Sequence, residues 1–178
     1  MSGRTSPRII RMLPGNVLLR EPWPSELKFF RSRPEVAGMA AEDNTVILSP
    51  FAGRSEAEQE IVALNEAARV IMRRKSFQPQ FSLTSEQRTA FASYGPPEAV
   101  KATVAARILS GDPSALTPTA EQLAFVERLA CEMGISTHFD ASRIPSPSYP
   151  EAARSRPLDY RHRRGGGIGK LIRTPERS

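Results

Sequence analysis

Residues 55–75 leave little choice of local structure. The stretch contains no proline or glycine, and Ile61, Leu64, Ala68, Ile71 and Met72 recur at the spacing that puts them on one face of an α-helix. Ser55 precedes the run with Glu58 three residues on. That is a capping box, in which the hydroxyl accepts from a free backbone N–H and the glutamate reaches back to the cap. Glu56, Glu58 and Glu60 stand at the start and Arg69, Arg73, Arg74 and Lys75 at the end, the order that complements the helix dipole. A helix with one apolar face must bury it, so the rest of the chain has to supply packing partners.

Three shorter helices follow by the same logic. Thr84 with Gln87 makes a second capping box, opening a helix towards Tyr94 that Gly95 and Pro96 stop. Pro97 suits a first helical turn, and Val100, Val104 and Ile108 form a stripe that ends before Gly111. Thr117 and Thr119 are alternative caps for a last helix carrying Leu123, Val126, Leu129, Ala130 and Met133, closed by Gly134. Residues 45–48, flanked by Asp43-Asn44 and Ser49-Pro50, read as a strand, and residues 16–20 offer a second strand to pair with it. Ser25 is a candidate cap for one or two helical turns over residues 25–31. The expected fold is mainly α: a small bundle of about four helices with one short β element, the strands lying near 16–20 and 45–48.

Proline and charge set the expected boundaries. Prolines at 7, 14, 22, 24 and 34, and again at 145, 147, 150 and 157, limit regular structure at both ends. Residues 1–37 hold seven Lys/Arg against three Asp/Glu, residues 38–137 nine against twelve, and residues 138–178 nine against four. The net charge of +6 therefore belongs to the ends. The expected organisation is a basic N-terminal arm over 1–37, a helical core over 38–137 and a basic Pro/Gly-rich C-terminal arm over 138–178, the arms reaching for an acidic surface. The single Cys131 forms no internal disulfide, which fits synthesis in a reducing cytosol. The apolar pieces after Met1 are too short for a signal peptide, and no run approaches the ~18 apolar residues of a membrane span.

Catalytic patterns fail on their details. Residues 165–170 (Gly-Gly-Gly-Ile-Gly-Lys) imitate a phosphate loop, but Arg164 stands where its first glycine belongs and Leu171 where Ser or Thr would hold magnesium. Cys131 and His138 would make a nucleophile and base only if the thiol were activated. Its place on the last helix reads instead as a buried packing position. One Cys with His138 and His162 lacks the paired spacing of a zinc site. Glu42-Asp43 and Glu58 with Glu60 are explained by a turn and a helix start. No catalytic, cofactor-binding or metal-ligating residue is assigned, and no small-molecule substrate is expected.

Partner-binding residues are easier to name. Trp23, Phe29 and Phe30 are too apolar to stay solvated and are expected to dock on the core or on a partner. Arg154, Arg156, Arg161, Arg163, Arg164, Lys170 and Arg173 suit either bidentate contacts to carboxylates of a protein neighbour or phosphates of nucleic acid, with Tyr149, Tyr160 and His162 available to stack on bases.

Residues 36–51, 55–59, 64–69, 81–87 and 104–115 together resemble a segment of small uncharacterised proteins encoded by tailed bacteriophages. The resemblance covers roughly residues 35–130, excludes both ends and transfers no functional residue. It implies a non-enzymatic virion component, at the portal or tail vertex or inside the head. Such a component is made in the bacterial cytoplasm and bound to other virion proteins, with DNA as a further partner, in a symmetric multi-copy assembly. The alternative is a nucleic-acid-binding accessory protein that works through its C-terminal arginines.

Overall fold

A computed structural model of the chain describes residues 7–136. The elements run β1 (Ile9–Leu13), β2 (Val17–Arg20), α1 (Pro24–Ser32), β3 (Gly38–Ala40), β4 (Thr45–Leu48), α2 (Glu56–Arg74), α3 (Ser85–Ala90), α4 (Pro97–Ser110) and α5 (Ala120–Glu132). The strands form one mixed sheet in the order β1-β2-β4-β3, with β2 and β4 parallel at its centre and antiparallel strands at both edges.

This corrects the expected mainly α bundle: five helices are built around a four-stranded sheet, an α/β arrangement. The strands expected near 16–20 and 45–48 do pair, through Leu18 with Thr45 and Leu19 with Val46, but they are the middle of the sheet and not an isolated β element. Each edge strand stands because of its neighbour. β1 folds back on β2 through the turn at Pro14–Asn16, and β3 returns antiparallel to β4. The expected N-terminal arm is corrected too. From Ile9 onward it contributes two strands and a helix, and Leu13, Val17 and Leu19 are buried in the same core as α2.

The pleat sorts side chains between two layers. Leu13, Leu19 and Val46 face α2 and pack with Ala63, Ala67, Ala68, Val70 and Ile71. The same core continues through Val104 and Ile108 of α4 to Phe125, Val126 and Leu129 of α5. Ile47, the neighbour of Val46, points the other way and meets Phe30 of α1, with Ala41, Val36 and Met39 around them. Full burial of a side chain such as Phe30 contributes about 1.5–3 kcal/mol, the apolar part of what seats α1 on the sheet.

Two close approaches require glycine. Gly15 has φ +74°, and a Cβ there would lie 2.8 Å from Ile71 Cδ1. Its N–H donates to the Met133 carbonyl at 2.9 Å, tying the β1–β2 turn to the end of α5. Gly38 lets β3 lie against α2, since a Cβ would sit 2.7 Å from Val62 Cγ1.

The capping boxes of α3 and α5 meet each other. Gln87 accepts from the Thr84 N–H at 3.0 Å and Gln122 from the Thr119 N–H at 3.1 Å, the ordinary work of a capping glutamine. Both side chains are fully buried, and their amides also bond reciprocally: Gln87 Nε2 donates to Gln122 Oε1 at 2.9 Å, and Gln122 Nε2 donates to Gln87 Oε1 at 2.8 Å and to the Ser82 carbonyl at 2.9 Å. Glutamate, which serves at the same position in α2, would set two carboxylates against each other here.

Candidate functional site

α1 carries the sequence-predicted aromatic residues and is anchored by one buried cation. Pro24 occupies its first position, and the cap is Trp23, not the expected Ser25, because Glu26 reaches back to accept from the Trp23 N–H at 2.7 Å. The same carboxylate takes both ends of the Arg20 guanidinium, at 2.8 and 2.9 Å. Arg20, only 2% exposed, also donates to Thr45 Oγ1 at 2.8 Å and Asp43 Oδ2 at 3.2 Å. Burial alone pushes the Glu26 and Asp43 carboxyls up. For Glu26 the Arg20 and Trp23 hydrogen bonds, and for Asp43 those from Thr45 followed by Arg20, outweigh it and hold both below the usual carboxylate range. The cluster joins β2, α1 and the start of β4, so the orientation of α1 is fixed from beneath.

The outward side of α1 is built differently. Phe29 is 37% exposed and Phe51, in the loop after β4, is 39% exposed. The Arg33 guanidinium lies over the Phe29 ring at 5.6 Å and that of Arg31 over Phe51 at 5.3 Å. Lys28, Arg31 and Arg33 form no ion pair among the described residues, while the nearest helical carboxylate, Glu26, is turned inward to Arg20. The exposed sides of α1 therefore offer an apolar ring under an arginine on each flank of the buried Phe30, Phe29 with Arg33 and Phe51 with Arg31.

A second polar site lies between α2 and α4. Glu66 borders two clefts, of about 490 and 300 Å³, and Arg69 stands beside it with Nε at 3.7 Å. Arg69 is held by Asn65 at 3.2 Å and Thr103 at 3.1 Å, and Arg107 by Tyr94 at 2.5 Å and by Ser114. Desolvation pushes the Glu66 carboxyl up against the lowering influence of Arg69, the Ala40 N–H and Arg107. The smaller cleft balances Arg54, Arg69 and Arg107 with Glu35, Glu66 and Asp112, so it favours neither sign of ligand.

Of the residues expected to dock on the core or on a partner, Phe29 is at the surface, Trp23 is half-buried beside Arg20, and Phe30 takes the core alternative, fully buried beneath α1. Arg154, Arg156, Arg161, Arg163, Arg164, Lys170 and Arg173 lie outside the described residues. Cys131, expected to be buried, is exposed: Glu127 and Arg128, four and three residues before it, mark the outward side of α5. Sequence reasoning missed Arg20 and Phe51. A lone arginine closing an apolar strand signals the first, and nothing local signals the second.

Among the described residues, no group of three or more His, Cys, Asp or Glu is placed to hold a metal ion, and no helix is long and apolar enough to cross a membrane. The chain matches no protein-family model, no curated protein and no solved structure.

Proposed function

We propose that the protein is a non-enzymatic structural component of a tailed-bacteriophage particle, binding neighbouring virion proteins through the outward face of α1 and its basic C-terminal residues. The observation that carries the binding role is the two exposed rings of Phe29 and Phe51, each under an arginine, Arg33 and Arg31, that forms no ion pair among the described residues. Apolar rings with arginines around them are the composition of protein interfaces, and a helix locked by Arg20 presents them without further ordering. The phage setting is supported by the sequence resemblance over residues 35–130.

Mass spectrometry of purified virions tests the setting: the chain is expected in stoichiometric amount, and its absence overturns the reading. Phe29→Ala with Arg31→Glu is expected to abolish incorporation while the purified variant keeps its helical circular dichroism. Nucleic acid is the second reading, favoured by seven arginines and lysines within residues 154–173. It requires a shift of DNA or RNA at ~50 mM salt that weakens by about 0.7–0.9 log units per log unit of salt for each phosphate neutralised.

A further inference from the structure

The two edges of the sheet are finished differently. On the β3 side, α2 lies against the edge: Arg73 donates to the Ala40 carbonyl at 3.5 Å and to that of Ala41, and Val62 packs on Gly38. On the β1 side, no described residue pairs with the outer main chain.

The side chains of β1 also lack the protection that an open edge usually carries. Exposed edge strands are blunted by outward charges, which make pairing with another chain unfavourable. Here Ile9, Ile10 and Met12 are 46%, 54% and 61% exposed. Those three are half of the six large apolar residues exposed among the described residues, gathered on one five-residue strand. The arginines that would repel a second chain are drawn aside within their own, Arg11 to Glu60 on α2 and Arg8 to Glu21 at 3.9 Å. Leu18, half-buried across from Met12, extends the uncovered apolar surface onto β2.

We infer that β1 is an interface between two copies of this chain, pairing antiparallel with the β1 of its mate so that two four-stranded sheets join into one of eight. The contrast between the edges selects this occupant. A β1 that met the β3 of the next copy would propagate into a filament, but α2 already lies against the β3 edge through Arg73 on Ala40 and Val62 on Gly38. Pairing of β1 with β1 about a two-fold axis covers both open edges at once and stops at two. The Arg11–Glu60 pair lessens the like-charge penalty that self-pairing of a basic strand would otherwise carry. The bulge between Ile9 and Arg11 keeps the joined segment short, so the interface sits at the small end of the range and its affinity is on the order of micromolar. The inference goes beyond the phage reading and does not rest on it.

Sedimentation equilibrium of the full chain, with a reductant to keep the exposed Cys131 from cross-linking, provides the test. The apparent mass is expected to rise from 19.6 kDa towards twice that value between ~1 and ~100 μM protein. Ile10→Lys and Met12→Lys are each expected to weaken self-association about tenfold or more. Mixing Met12→Lys chains with Met12→Glu chains should restore association, a recovery that misfolded variants would not show. In the dimer, the outward amides of β1 should exchange more slowly than in dilute monomer. A chain that stays monomeric at ~100 μM overturns the inference, as does a dimer indifferent to these substitutions. A monomer whose β1 amides are already protected assigns the edge to the chain's own residues and overturns it equally. None of these outcomes bears on whether the protein is found in virions.

Discussion

Replacing Gln122 with alanine isolates the contact between the two capping boxes. The change removes four hydrogen bonds at once: those to the Thr119 N–H and the Ser82 carbonyl, and both to Gln87. Two of the groups left behind lie near the surface, but the Gln87 NH₂ is fully buried and has no other partner among the described residues. An orphaned buried donor costs about 1–3 kcal/mol and the lost bond to the Thr119 N–H, half of the capping box, about 0.5–1 kcal/mol, so Gln122→Ala is expected to destabilise by about 3 kcal/mol. Gln87→Ala should cost a similar amount for the converse reason. The double variant leaves neither amide orphaned, and its cost should fall short of the sum by about 2 kcal/mol. Urea denaturation followed by the fluorescence of Trp23, the single tryptophan, and by circular dichroism gives all three values. Gln122→Glu sharpens the test, because the carboxylate keeps the capping oxygen but faces Gln87 Oε1 and the Ser82 carbonyl as a third acceptor. Its folded-state pKa must lie above the unfolded value, so its deficit should shrink as pH falls from neutral through that raised pKa. Additive single substitutions, or a Gln122→Glu protein as stable as wild type at pH 7, would refute the reasoning.

Arg20→Met should destabilise by about 3 kcal/mol, the low end for a broken buried ion pair because Asp43 reaches water; near-wild-type urea midpoints would count against the anchoring of α1. With Glu26 and Asp43 both held below their ordinary values, the stability they contribute is complete above the unfolded carboxylate range and is lost as pH falls through their folded pKa values. The Arg20→Met protein should show a flatter acid limb. Glu66 has the opposite sign: its raised pKa means that folding favours the protonated form, so Glu66→Gln should be at least as stable as wild type at pH 7, with the difference vanishing on acidification. Gly15→Ala, which combines a left-handed backbone with a contact to Ile71, should cost about 2 kcal/mol in the same urea assay.

The helices were legible because their signals are local. Ser55, Thr84 and Thr119 each announce a cap three residues before a Glu or Gln, and a stripe at helical spacing needs no knowledge of what it packs against. The edge strands were not, since Ile9-Ile10-Arg11-Met12-Leu13 has no alternation and Gly38-Met39-Ala40 is three residues long. Each becomes a strand only by pairing with one that is better marked, and pairing partners are not written into either segment. That difference turned an expected bundle into a sheet with helices. The outward face of α1 was legible in part. Phe29 stood out as apolar, but Phe30 beside it looked identical in sequence, and only the placement of Ile47 and Ala41 decides which ring is buried. Phe51 joins the surface from a loop, a meeting that no spacing rule predicts.

The bond from Gly15 to Met133 has a consequence for the order of events during synthesis. The turn at Gly15 leaves the ribosome more than a hundred residues before the helix end that supports it. Until then the strands around it can pack Leu13, Val17 and Leu19 on α2, but the side of that core closed by Phe125, Val126 and Leu129 stays open. A contact spanning so much of the chain carries a large loop-closure entropy and is expected to form late. Truncation before α5 should therefore yield a product that retains α2 yet is held by chaperones, its sheet waiting for the helix that seats it.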